Sequence, residues 1–331
     1  MKSLRSHAPG GPETLSLDNV PDPVAGPGQL LVRVRACAIN YPDVLIIEDK
    51  YQLKPPRPFA PGSEIAGEVE AVGEGVSGWA PGDQLIAANF YGGLSEKIVI
   101  DERQAIRLPA GRGFAEGSAL LLTYGTAIHA LVDRGRLQPG ETLLVLGAAG
   151  GVGLAAVEIG KALGARVIAA VSSQDKANAA RAAGADECLV YPAGPFDDGS
   201  RKALSAAFKA GVGSDGADVI LDPVGGDYSE AALRSIAWEG RFLVVGFPAG
   251  IAKIPLNLPL LKGCEICGVI WGVWIAHEPE AHRAHVAQLL RWWGEGRIKP
   301  QVTATYPLAR AGEAIAALGD RKAVGKLVVT L

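Results

Sequence analysis

The residues from Gly147 to Gly153 read Gly-Ala-Ala-Gly-Gly-Val-Gly, a spacing suited to holding a phosphate. Glycine has no side chain, so the backbone N–H groups of Gly150 and Gly151 can approach an anion closely. A helix opening at this point adds the partial positive charge of its N-terminus. Ala149, Gly150, Gly151 and Val152 are the residues expected around a dinucleotide pyrophosphate, and Gly153 lets the helix lie close to the strand before it. Such a pattern carries meaning only between a strand and a helix, and both flank it. Leu143 to Leu146 is a short unbroken apolar run, as in a strand covered on both faces. Val152, Ala155, Ala156, Ile159 and Leu163 then fall at helical spacing, Gly164 is a natural stop, and Arg166 to Val171 reads as a second buried strand.

The end of that second strand points to the kind of dinucleotide. An Asp or Glu there would bond a ribose 2′-hydroxyl, and its charge would repel a 2′-phosphate. This chain has Val171-Ser172-Ser173-Gln174 instead, with Lys176 just beyond and Tyr191 ending the next strand beside the same corner. Hydroxyls and a cation suit a 2′-phosphate, so we read an NADPH site. Ser172 and Ser173 can also cap the helix that starts near Asp175, and the two roles are compatible.

These residues sit in a chain of 331 residues, long enough for two domains, with a formal net charge of −3. That charge argues against a nucleic-acid surface. No apolar run is long enough to span a bilayer and the N-terminus has no signal-like apolar core, so the cytoplasm is the expected location. Four scattered cysteines (Cys37, Cys188, Cys264 and Cys267) do not make a disulfide framework. The sequence has neither Gly-x-Ser-x-Gly nor His-Glu-x-x-His.

Residues 1 to about 120 read as mostly β, with strands at 30–36, 65–72 and 84–88 separated by Gly/Pro turns. In the first, Leu31, Arg33 and Arg35 share one face, while Val32 and Val34 point to the buried one. Residues 119–132 look partly helical. From Glu141 strand and helix alternate. Strands are expected at 143–147, 166–171, 187–191, 217–222, 241–246 and 264–271, and helices at 152–163, 175–183, 201–210 and 228–237, the last opened by an Asp227–Glu230 capping box. This pattern predicts an α/β fold: a doubly wound parallel sheet plus a mostly-β barrel-like domain. The alternation ends after Trp271. Two helices (280–293 and 309–318) and a last strand (326–331) form a tail too small to fold alone. The expected division is 1–122 in the first domain, 123–266 in the dinucleotide domain and 267–331 returning to the first, with a ligand cleft between them. Gly246 and Phe247, at the end of the fifth strand, are expected near the nicotinamide.

Several segments together resemble a known family. They are Asn40-Tyr41-Pro42-Asp43, Pro61 to Gly67, Val72 to Val76, Gly82-Asp83, Gly125-Thr126-Ala127, Ala148 to Gly153, Asp222 to Gly226 and Gly325-Lys326. In this order they resemble the medium-chain dehydrogenase/reductase superfamily, in the zinc-free quinone oxidoreductase branch that includes zeta-crystallin. The resemblance implies a GroES-like catalytic domain, NADPH as cofactor and a homodimer paired through the strand around Ile266 to Ile270. It puts Asn40 and Ser63 where zinc-dependent members carry a Cys and a His, so no metal is expected. Cys264 and Cys267 point to opposite faces of a strand, and His282 and His285 read as a partly packed helix face. Neither pair reads as a metal site.

Without a metal, the expected chemistry is hydride transfer from NADPH to a quinone or an activated alkene, whose carbonyl oxygen takes up the developing charge. Asn40 is a candidate donor to the acceptor oxygen or ribose, or else a loop cap. The resemblance places Tyr51 at the substrate, where it can donate a proton or hydrogen bond; packing beside Pro55 and Pro56 is its other role. Asp43 is expected to fix its loop rather than to act as a base. Thr126, Arg321 and Lys326 are carried over as cofactor contacts, and Trp271 and Trp274 line the acceptor pocket or an interface. The competing readings are an enone or 2-enoyl thioester reductase, with Lys50, Lys54 and Arg57 as a basic entrance, and a non-catalytic NADPH-binding protein like the lens crystallins.

Overall fold

The computed structural model describes residues 1–321 and 323–331. They fall into two units, residues 1–122 with 300–331 and residues 123–299.

The first unit opens with a two-stranded ribbon, Lys2–Ser6 (β1) against Leu15–Asn19 (β2). Gln29–Ala38 (β3) follows, the spine of the unit's main sheet. Its Val32, Val34 and Ala36 are buried, while Arg33 and Arg35 reach across to Glu70 and Glu68 at 2.9 and 2.7 Å. Both acceptors lie on Glu64–Val72 (β4). Leu31 was expected on the arginine face, yet it is buried. The strand pairing shifts register between Leu31 and Val32, which interrupts strict alternation. Tyr41–Ile47 (α1) stands between β3 and β4, and Gln84–Ala88 (β5), Lys97–Asp101 (β6), Ala105–Arg107 (β7) and the short helix Phe114–Gly117 (α2) complete this stretch.

Leu121–Ile128 (α3) leads into the second unit and continues as a π-helical stretch, His129–Arg134. Then come Thr142–Leu146 (β8), Gly151–Ala162 (α4), Arg166–Val171 (β9), Gln174–Ala182 (α5), Glu187–Val190 (β10), Asp198–Val212 (α6), Ala217–Asp222 (β11), Asp227–Leu233 (α7) and Ile236–Val244 (β12). Asn257–Lys262 (α8), Glu265–Gly268 (β13), Trp271–His277 (α9) and Pro279–Gly294 (α10) close the unit. The sheet order is β10-β9-β8-β11-β12-β13 and every pair is parallel. This is the doubly wound order in which the first strand is central and its carboxyl end faces the crossover crevice.

Three local expectations change, the first being that the helix expected over 228–237 ends at Leu233 and β12 is already under way at Ile236. The strand expected to run to 271 stops at Gly268, and Trp271 begins a helix. The helix cap expected at Asp227 is Gly226, at φ +62°, with Asp227 the first helical residue. A Cβ on Gly226 would lie 2.6 Å from Ala249 O, so only glycine permits this approach.

The chain re-enters the first unit at Pro300, not at 267. Its return consists of Val302–Pro307 (β14), Ala311–Gly319 (α11) and Lys326–Thr330 (β15). β15 is inserted between β14 and β3, giving the order β14-β15-β3-β4-β5-β7 with β6 also on β3. The core beneath it joins Val32, Val34, Ile65 and Leu85 to Ile315 and Val329 from the return.

Candidate active site and dinucleotide turn

In the first unit, chemistry-bearing residues gather where β3 ends and α1 begins. Asp43 is fully buried. Its carboxylate accepts from Asn40 N–H at 2.8 Å and from Gly62 N–H at 2.9 Å, with Ser63 Oγ at 3.5 Å. It therefore ties α1 to the turn before β4, the loop-fixing role expected of it. The burial was not readable from the sequence. Desolvation pushes the Asp43 pKa up to about 6, opposed by those backbone N–H groups and by the Lys326 charge.

Asn40 is 4% exposed and both its amide hydrogens are engaged, on Ala38 O and on Glu64 Oε2, each at 3.2 Å. Its Oδ1 accepts from the Lys326 ammonium. In this arrangement it has no donor left for an acceptor oxygen, and it acts as a hub. Lys326 is equally buried: Nζ donates to Ile39 O at 3.1 Å and to Asn40 Oδ1 and lies 3.7 Å from Glu64. Its ammonium thus supports Asn40. Desolvation lowers the Lys326 pKa and raises that of Glu64, and their mutual attraction opposes both shifts. Glu64 also accepts from Leu122 N–H at 3.0 Å. Glu64 is a site residue that the sequence alone did not single out; its place directly before the apolar run Ile65-Ala66 was the available signal.

Tyr51 is half-buried against the same core. Burial, then the Asp43 charge, raises its pKa above the ordinary phenol value, so the hydroxyl stays protonated. In the loop after α1, Arg57 bonds Asp49 at 2.6 Å and Ile47 O at 2.9 Å, and Lys50 pairs with Glu48 at 2.8 Å. Arg57 is therefore a loop clasp rather than part of a basic entrance. Arg321 is exposed, at φ +57°.

In the second unit the glycine turn has the form its spacing predicts. Gly150 is the N-cap of α4, and a Cβ on Gly153 would lie 2.3 Å from Gly147 O and 2.7 Å from Ala148 Cα. No side chain fits there, so helix and strand meet backbone to backbone. Ala149 is buried under the turn, and Gly151 and Val152 begin the helix. At the end of β9, Lys176 Nζ donates to Ser172 Oγ at 3.1 Å, while Ser173 caps α5 by accepting from Lys176 N–H at 3.3 Å. Tyr191 stands beside this corner, its N–H on Val171 O at 2.9 Å, but its ring is buried against Phe208 and Tyr228. The ring is a core group and the corner's cation is Lys176.

Asp222, nearly fully buried at the end of β11, accepts from Val224 N–H and Gly225 N–H at 2.8 Å and from Ser229 Oγ at 2.5 Å. The turn it holds presses against the loop after β12: Gly226 N–H donates to Gly250 O at 2.7 Å and Ala249 N–H to Val224 O at 2.8 Å. Gly246 opens that loop and Phe247 projects from it, 46% exposed. Thr126 is buried on α3.

Residues 26–110 match the family model described as the alcohol dehydrogenase GroES-like domain, and residues 151–290 the one described as zinc-binding dehydrogenase. Quinone oxidoreductase-like protein 2 of Rattus norvegicus is 36% identical over 321 residues, 96% of this chain and 89% of that protein. Among solved structures, mycobacterial Rv1454c complexed with NADPH superposes with a TM-score of 0.91 at 28% identity, over the whole of both chains. An NAD-dependent alcohol dehydrogenase does so with a TM-score of 0.88 at 30% identity, also over both whole chains. The sheet order, the glycine turn and this full-length likeness converge: the chain belongs to the medium-chain dehydrogenase/reductase superfamily, in its quinone oxidoreductase branch.

Proposed function

We propose that the protein is an NADPH-dependent, metal-free oxidoreductase that reduces a quinone. The observation that carries this reading is the turn at Gly150–Gly153, where backbone alone meets backbone at a helix N-terminus, with Ser172 and Lys176 at the strand end that would otherwise offer a carboxylate. The turn and the α4 terminus receive a pyrophosphate, and the Ser172–Lys176 pair receives a 2′-phosphate. Bound NADPH supplies the hydride.

The donor set around Asn40 does not fit a metal. Asn40 Oδ1 already accepts from an ammonium, Ser63 offers a hydroxyl turned to Asp43, and the thiol of Cys37 is driven well up in pKa by burial. Tyr51 is the remaining donor: its protonated phenol can give a hydrogen bond or a proton to the oxygen on which charge develops. β13 is the edge strand of its sheet, and Ile266, Ile270 and Val273 are exposed at and beyond it. This supports a homodimer paired through that edge.

The test is steady-state kinetics with NADPH and NADH against 1,4-benzoquinone, 9,10-phenanthrenequinone, an alkenal and crotonyl-CoA. The reading expects NADPH preference and quinone turnover. Equal specificity constants for the two coenzymes refute the 2′-phosphate assignment. Exclusive turnover of the thioester replaces a quinone reductase with an enoyl reductase, and tight NADPH binding without oxidation by any acceptor makes the protein non-catalytic.

A further inference from the structure

Within the second unit, α3 is held at several points by residues the proposed chemistry does not use. Tyr124 donates to Glu158 of α4 at 2.7 Å. Gly125 lies under the indole of Trp271: a Cβ there would sit 2.7–2.8 Å from indole Cε2, Cζ2 and Nε1. His129, where the helix widens into its π-helical stretch, stacks on Trp274 with ring centroids 4.2 Å apart and planes 24° apart. His285 of α10 also stacks on Trp274, at 5.2 Å and 23°. Asp133 joins the two imidazoles, 2.6 Å from His129 Nδ1 and 3.4 Å from His285 Nε2. His282 meets both tryptophans edge-on, with Arg283 beside it in sequence.

A π-helical stretch is a less favourable register that needs tertiary partners and recurs at functional sites. Here the partners are aromatic and polar groups on α9 and α10. Gly125 and His129 bracket Thr126, the one residue of α3 assigned above to the cofactor. We propose that Trp271 and Trp274 are positioning residues that fix the rotation and depth of α3, so that Thr126 meets the nicotinamide end of the coenzyme. This rests on the coenzyme reading above. Trp271 fixes the helix by filling the space that a Cβ at 125 would enter. Trp274 fixes it through the ring stack with His129.

The test compares Gly125→Ala, Gly125→Ala/Trp271→Leu, Trp274→Leu and Trp274→Phe with the wild type, reading coenzyme Kd by fluorescence, KM for each substrate, kcat and melting temperature. Alanine is the better helix former, so any loss in Gly125→Ala comes from collision with the indole. The expected result is a rise in coenzyme Kd of roughly tenfold or more, with acceptor KM unchanged, because misplacing a positioned group by about 1 Å is costly. The double variant, which withdraws the indole edge, recovers to within roughly threefold of wild type, a non-additivity expected only of residues in contact. Trp274→Leu weakens coenzyme binding while Trp274→Phe, which can still stack, retains most of it.

Wild-type coenzyme affinity in Gly125→Ala and Trp274→Leu overturns the proposal, and so does a double variant no better than Gly125→Ala. If the wild type binds NADH rather than NADPH, the 2′-phosphate assignment fails. The brace is then scored on NADH, which has the same nicotinamide end. A wild type that binds neither coenzyme overturns both.

Discussion

Replacing Lys326 by Met removes one charge from a sealed network. The ammonium is 3.7 Å from Glu64 and bonded to Ile39 O and Asn40 Oδ1, and no solvent reaches the Glu64 carboxylate. At an effective dielectric near 20, a unit pair at that distance attracts by about 4 kcal/mol. Stranding one partner of a buried pair costs about 3–5 kcal/mol. For a unit of this size that lowers the melting temperature by about 6–20 °C. The deficit depends on pH. Losing the ammonium removes the charge that opposes desolvation of Glu64, so its folded pKa climbs further above the ordinary value of 4.5. A carboxyl raised in the folded state is stabilising below its unfolded pKa, and that stability is lost as pH rises through the folded value. Lys326→Met is therefore closest to wild type at a pH below the ordinary carboxylate value and furthest from it at a pH well above that value. Adding Glu64→Gln removes the stranded charge and recovers all but about 1–2 kcal/mol. Differential scanning calorimetry of the four proteins at both pH values measures this cycle. A Lys326→Met protein melting within about 2 °C of wild type at both would refute the account of the network.

Other expectations follow from single contacts. Gly153→Ala forces a Cβ to within 2.3 Å of Gly147 O, a backbone atom that cannot swing away; isothermal titration should find NADPH binding lost or weakened by a factor of roughly a hundred. Tyr51→Phe keeps the ring and removes the proton; kcat should fall roughly ten- to a hundredfold, with KM for the coenzyme unchanged. Asp43, raised from 3.8 to about 6, makes the folded state lose stability as pH rises between those values. In Asp43→Asn, denaturation across that range should show this slope flattened, with overall stability reduced because an amide hydrogen now faces the Asn40 N–H.

The parallel sheet was legible because each of its strands is a local apolar run, and the glycine turn because Gly150 and Gly153 answer to contacts with Gly147 and Ala148, a few residues away. The site in the first unit was legible only in part. Asn40 and Asp43 are near neighbours and their loop role followed from that spacing, but Lys326 reaches Asn40 from 286 positions away. No pattern within either segment encodes that meeting. The Asp43 pKa depends on burial, a tertiary quantity. The boundary set at 266 failed for a related reason. The stripe of Val286, Leu289 and Trp293 announces that α10 buries one face, not what it buries it against, and the His–Trp contacts to α3 decide that. Asp227 looked like a cap because its type and the spacing to Glu230 fit. The close approach of Gly226 to Ala249 O moved the cap by one residue.

β15 lies between β14 and β3, yet it is translated after everything in the second unit. On the ribosome the amino-terminal sheet must wait for its missing strand. With synthesis at about 5–20 residues per second, the interval from Leu122 to Lys326 lasts roughly 10–40 s. Throughout that time Glu64 has no ammonium and the apolar underside of β3 lacks Val329 and Ile315. The nascent protein therefore matures in an order opposite to its reading direction, with the later-made parallel-sheet unit complete while the earlier unit still lacks a strand.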